Sequence, residues 1–119
     1  MTSNPRDVVV LQGERVEFIC GSSINESVSW HYRPTSSQTE VRILSGGRLI
    51  NQFKTKFTAK ENGVYKLIIN NSSLADGGTY ICIENLGFGE KASAELTIIG
   101  TIRLSVIAKR ILFIIIILR

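Results

Sequence analysis

The chain has 119 residues, enough for one ordinary domain and too few for a second sizeable core. Its formal charge of +4 comes from 14 Lys and Arg against 10 Asp and Glu, yet the first hundred residues hold ten of each sign, and the excess lies at Arg103, Lys109, Arg110 and Arg119. A neutral body offers no basic face on which phosphates could be neutralised, which argues against nucleic acid as a partner.

In chain order, "DVVVLQGERVEFIC" gives a β-branched run, a turn at Gln12-Gly13, and then Val16, Phe18 and Cys20 alternating with Glu17 and Ile19. That period of two predicts two strands, the second with one side on a core. "SVSWHYR" predicts a third strand with Val28 and Trp30 on one face. "EVRIL" ends at the turn signal Ser45-Gly46-Gly47, and "RLINQFKTKFTAK" reads as continuous strand as far as Glu61-Asn62-Gly63. Asn-Gly tolerates positive φ at both central positions of a tight turn, so "KFTAK" and "VYKLIIN" are expected to pair antiparallel. "GTYICIEN" and "KASAELTII" complete about eight or nine short strands, with no helical period before residue 100. The pattern is that of an all-β sandwich.

The two cysteines, Cys20 and Cys82, stand 62 residues apart, and with one histidine in the chain they are too few for a zinc site. Two readings remain, a disulfide or a pair of reduced buried thiols. The disulfide is the reading taken here; closing so long a loop removes roughly 4 kcal/mol of unfolded-chain freedom and implies an oxidising compartment.

Trp30 lies between the cysteines, Tyr80 stands two residues before the second, and "DGGTYIC" places Asp76, Gly78, Tyr80 and Cys82 at alternate positions. Over residues 5–99 this constellation resembles the immunoglobulin superfamily. The resemblance implies a two-sheet Greek-key sandwich with one intersheet disulfide, Trp30 packed beside that tie, and the Tyr80 hydroxyl turned back on the preceding corner. The fifty-two positions from Trp30 to Cys82 leave room for two extra strands, and "EVRILSGGRLI" resembles the C′ to C″ segment of variable-type (V-type) domains. Lys56-Phe57 resembles the start of strand D in that type, whose cation pairs with the carboxylate matched here by Asp76. The last hairpin departs from the variable pattern, since Lys91 replaces the second glycine of a joining-segment F-G-x-G. "CIENLGFGEKASAELTI" is also similar to the ending of intermediate-type domains from adhesion and muscle proteins. The expectation is V-type, with intermediate type as the alternative.

The resemblance implies an immune-receptor-like recognition module, extracellular and either secreted or at the cell surface, that binds a protein ligand or receptor. An adhesion or structural module in a multidomain array is the other reading. No enzyme, metal or cofactor is expected: His31 is the single histidine, Glu84, Glu90 and Glu95 lack the pairing that acid–base work needs, and no helix follows Gly87-Phe88-Gly89. If Tyr80 and Cys82 face the core, alternation sends Thr79, Ile81, Ile83 and Asn85 outward. By the resemblance the same face receives His31, Arg33 and Phe88. This set predicts an interface for a homodimer or a V-type heterodimer, with an apolar centre of Ile81, Ile83 and Phe88, unless a loop or the apolar tail covers those residues within one chain.

Asn25-Glu26-Ser27, Asn70-Asn71-Ser72 and Asn71-Ser72-Ser73 are glycosylation sequons, the last two overlapping so that crowding leaves room for one glycan. Met1 opens on "TSNPRD" with no apolar run of the kind a signal peptide carries. The expected domain is residues 1–100. Residues 101–119 form an apolar, basic tail whose unbroken run, Ile111 to Leu118, reaches about 12 Å as a helix against a hydrocarbon core of roughly 30 Å. Two readings stand for it: a membrane anchor cut short, or a non-native extension beyond Gly100.

Overall fold

The structure is a computed structural model that describes residues 3–21, 28–37, 39–45, 48–61, 65–84 and 89–100. Nine strands run through them: β1 (Val8–Leu11), β2 (Val16–Cys20), β3 (Ser29–Pro34), β4 (Val41–Ser45), β5 (Arg48–Leu49), β6 (Phe57–Glu61), β7 (Tyr65–Ile69), β8 (Gly78–Ile83) and β9 (Lys91–Ile99). Single 3₁₀ turns occupy Asn51–Phe53 and Leu74–Asp76. One sheet has the order β1-β9-β8-β3-β4-β5 and the other β2-β7-β6. β1 runs parallel to β9, and every other pair is antiparallel.

The inward rows are those the alternation points to. Val16, Phe18 and Cys20 on β2, Leu67 and Ile69 on β7, Trp30 on β3, and Tyr80 and Cys82 on β8 are all buried in one core. Tyr80 is the hub of its aromatic part, stacked on Phe18 at 4.9 Å between centroids and on Tyr32 at 4.8 Å, with Phe57 tilted against it at 6.4 Å. Such offset pairs add stabilisation beyond the area they bury. The Cys20–Cys82 disulfide ties β2 to β8, one strand from each sheet.

The N-terminal stretch belongs to both sheets. Ser3 bridges Gly21 beside the three-stranded sheet, and after the buried Pro5 the chain crosses over to pair as β1 with β9. A proline lacks the N–H that a ladder would require, so it suits the point where pairing on one sheet stops.

Residues 48–60 differ from the continuous strand expected of them. β5 ends after two residues, because here the chain leaves the edge of one sheet for the edge of the other. Ile50 N–H still closes on Ile43 O at 2.9 Å, and the turn then continues through Phe53 N–H to Ile50 O at 2.8 Å and Lys54 N–H to Asn51 O at 3.3 Å. Phe53 anchors the crossing by packing its ring edge on Phe57 at 5.8 Å. β6 then pairs with β7 from Phe57↔Ile69 to Glu61↔Tyr65, as expected; the Asn62-Gly63 turn lies outside the described residues.

Candidate functional site

At one corner of the sandwich, three successive carbonyls of the Leu74–Asp76 turn and its exit receive phenolic hydroxyls from the core. Tyr80 Oη donates to Asp76 O at 2.7 Å, while the single Tyr32 hydroxyl proton is shared between Ala75 O at 2.7 Å and Gly77 O at 2.9 Å. Burial raises the Tyr80 pKa far above the ordinary tyrosine range, with the neighbouring Tyr32 and the Asp76 charge adding to the rise. Burial, then the Asp76 charge, also raises Tyr32. The role of Tyr32 was not anticipated, although its signal was present: it stands two residues after Trp30 on the same strand face, directly opposite Tyr80 in register.

The Asp76 carboxylate holds the other half of the corner. Its Oδ2 accepts from the Lys56 ammonium at 2.6 Å, from Ser73 N–H at 2.7 Å and from the Ser73 hydroxyl at 3.2 Å. Lys56 Nζ also donates to Asn71 O at 2.7 Å. The Asp76 side chain is 12% exposed and that of Lys56 30%, so the pair sits at a rim and not in the core. Gly78 completes the corner with φ +150°; a Cβ there would collide with Arg33 O and stand 2.9 Å from Tyr32 Cε2. That close approach is why the motif needs glycine two residues before Tyr80.

The outer side of the six-stranded sheet is set by register. His31 lies opposite Ile81, Arg33 opposite Thr79, and Ser29 opposite Ile83 on the β3–β8 ladder; Ser93 and Lys91 of β9 flank Ile81 and Ile83 from the other side. His31 also pairs with Arg42 of β4 beyond a register shift. Ile81 and Ile83 therefore face outward, as alternation implies, but they are only 7% and 2% exposed. Little of either isoleucine is therefore accessible within the single chain, Ile81 more than Ile83. What remains accessible is a shallow depression of about 280 Å³ lined by Arg33, Glu40, Ile81, Lys91, Ala92 and Ser93. His31 Nδ1 meets Glu40 Oε2 at 3.1 Å, and its buried Nε2 has no hydrogen-bond partner among the described residues. Phe88, the remaining residue of the expected interface, lies outside the described residues.

Asn70 and Asn71 are exposed at the end of β7, whereas Asn25 falls outside the described residues. The β8–β9 hairpin is closed by Glu84 N–H to Glu90 O and by Gly89 N–H to Glu84 O, both 2.9 Å. A Cβ on Gly89 would lie 2.9 Å from Glu84 Cβ, so this glycine serves a tight hairpin. Among the described residues, no helix is long and apolar enough to cross a membrane.

The family model for the immunoglobulin V-set domain matches residues 3–99. Among solved structures, the first Ig domain of the mouse polymeric immunoglobulin receptor superposes with a TM-score of 0.68 at 20% identity, covering 86% of this chain and 96% of that one. At that identity the likeness speaks for the fold alone. The family match decides between the two types left open by the last hairpin, in agreement with a β5 strand added after β4 at the edge of the larger sheet. The chain belongs to the immunoglobulin V-set family.

Proposed function

We propose that this domain is a recognition module of immune-receptor type, secreted or at the cell surface, that binds a protein partner through the outer side of the β1-β9-β8-β3-β4-β5 sheet. Domains of this family are in general binding modules and not enzymes. The observation that carries the reading is the depression over Ile81 and Ala92, edged by exposed charges of both signs, Arg33 and Lys91 against Glu40. An apolar centre inside a polar rim is the anatomy of a protein interface. Charges of both signs on one patch also allow a two-fold pairing in which the cations of one copy meet the anions of the other. The partner proposed is a second copy or a related V-type domain, packed through this sheet. The Cys20–Cys82 disulfide supports the extracellular placement, since such bonds persist in oxidising compartments. The functional unit is residues 1–100; for residues 101–119 a truncated anchor and a non-native extension both stand, and membrane attachment through them is part of the first.

Sedimentation equilibrium of residues 1–100 tests the pairing. Self-association at high micromolar concentration, abolished by Arg33→Glu with Lys91→Glu, is the expected result. A monomer throughout would overturn the homodimer and leave a heterologous V-type partner to be tried with the same variant.

A further inference from the structure

The overlapping sequons Asn70-Asn71-Ser72 and Asn71-Ser72-Ser73 offer two amide nitrogens on adjacent residues, and the fold treats them differently. Asn70 follows the inward-facing Ile69, so its side chain falls on the outer side of the three-stranded sheet. There its Oδ1 accepts from the Thr58 hydroxyl at 3.1 Å, which holds the carboxamide in one orientation and leaves Nδ2, the atom that takes a sugar, directed away from that contact. Asn71 sits beside the β1–β2 turn. Gly13 N–H donates to Ser72 O at 2.7 Å and Ser72 N–H to Glu14 O at 3.2 Å, so the backbone after Asn71 is fastened to that turn on both sides. The Asn71 side-chain oxygen lies 3.8 Å from the point where a Cβ on Gly13 would stand, and its carbonyl is occupied by the Lys56 ammonium. A glycan on Asn71 has to be fitted against the turn and the Lys56–Asp76 corner, whereas Asn70 is exposed at the end of β7 with its carboxamide oxygen alone held, by Thr58.

From this geometry we infer that the folded domain carries a single N-linked glycan at this pair, on Asn70. The donor is a lipid diphosphate-linked oligosaccharide. Asn70 Nδ2 attacks the anomeric carbon of its terminal N-acetylglucosamine, the bond from that carbon to the diphosphate oxygen breaks, the lipid diphosphate leaves with the electron pair, and Nδ2 gives up one proton. Both sequon hydroxyls are engaged in the closed fold: Ser72 is buried with its hydroxyl 3.4 Å from Leu11 O, and the Ser73 hydroxyl donates to Asp76. Transfer therefore precedes closure of this corner, and the fold selects afterwards, because chains modified at Asn71 close less readily. The modification takes place in the secretory setting in which the disulfide forms, and it is independent of which sheet face binds a partner.

The test uses the full chain expressed behind a secretory leader in a eukaryotic cell. Disulfide-bonded protein from the medium and from the microsomal fraction is treated with peptide N-glycanase in heavy-oxygen water, which converts a glycosylated Asn into isotopically marked Asp. Fragmentation of the tryptic peptide from Leu67 to Lys91 then locates the mark. Asp is expected at position 70, with occupancy unchanged in Asn71→Gln and lowered several-fold in Asn70→Gln. Marked Asp at position 71, or none at either position, overturns the assignment.

Discussion

Removing the Tyr80 hydroxyl by Tyr80→Phe keeps the ring stack on Phe18 and Tyr32 and deletes one bond, the 2.7 Å donation to Asp76 O. Because Tyr80 is fully buried, the stranded carbonyl cannot recruit water easily, and the cost is about 1–3 kcal/mol rather than the smaller net value of an average hydrogen bond. For a domain of roughly a hundred residues each kcal/mol is worth about 4–8 °C, so a fall in Tm of roughly 10 °C is expected by calorimetry near neutral pH. The alkaline limb provides a second readout. The folded pKa of Tyr80 is raised above the unfolded value near 10, so the folded state keeps a proton that the unfolded state releases. This contribution is fully present below pH 10 and is lost as pH rises beyond it, at up to about 1.4 kcal/mol per pH unit. Wild type is thus expected to lose stability faster above pH 10 than Tyr80→Phe, and the gap between them to close. Chemical denaturation at several alkaline pH values measures it. Parallel curves for the two proteins would refute the claim that the fold holds this phenol neutral.

Replacing both cysteines by Ala is expected to cost about 4 kcal/mol, a large share of the stability of a small domain, and a Tm within a couple of degrees of wild type would rule out the bond as the main support. Asp76→Ala strands the Ser73 N–H and removes the carboxylate partner of the Lys56 ammonium, and is expected to cost about 2 kcal/mol, while Lys56→Met at the rim costs about 1 kcal/mol or less; urea midpoints should rank them in that order. Gly78→Ala forces a Cβ into Arg33 O and Tyr32, and its yield of soluble folded protein is expected to collapse where Gly13→Ala, which meets only the Asn71 side-chain oxygen at 3.8 Å, costs little beyond its backbone strain.

The parts of the fold that could be read in advance are those whose cause is local. Val16, Phe18 and Cys20 face the core because a strand has a period of two, whereas the order Cys20, Trp30, Cys82 with Tyr80 two places before the second cysteine was readable through the family resemblance. Residues 48–60 were not legible, since their β-rich composition says nothing about the step from one sheet edge to the other; that step breaks the run into β5, a 3₁₀ turn and β6. Ile81 and Ile83 show the same division. Their outward direction follows from alternation, but their burial, 7% and 2% exposed, does not follow from the pattern of their own strand. Tyr32 shares the inward face of Trp30 by the same alternation, but its role at the corner rests on carbonyls more than forty positions later.

Recognition through the β3–β8–β9 outer face is most directly tested by amide and side-chain NMR of residues 1–100 titrated from low to high micromolar concentration, or with a V-type partner. Shifts concentrated at Arg33, Glu40, Ile81, Lys91 and Ser93, and lost in Arg33→Glu with Lys91→Glu, are the expected result. Shifts confined to β2, β7 and β6, with the six-stranded face silent, would contradict it.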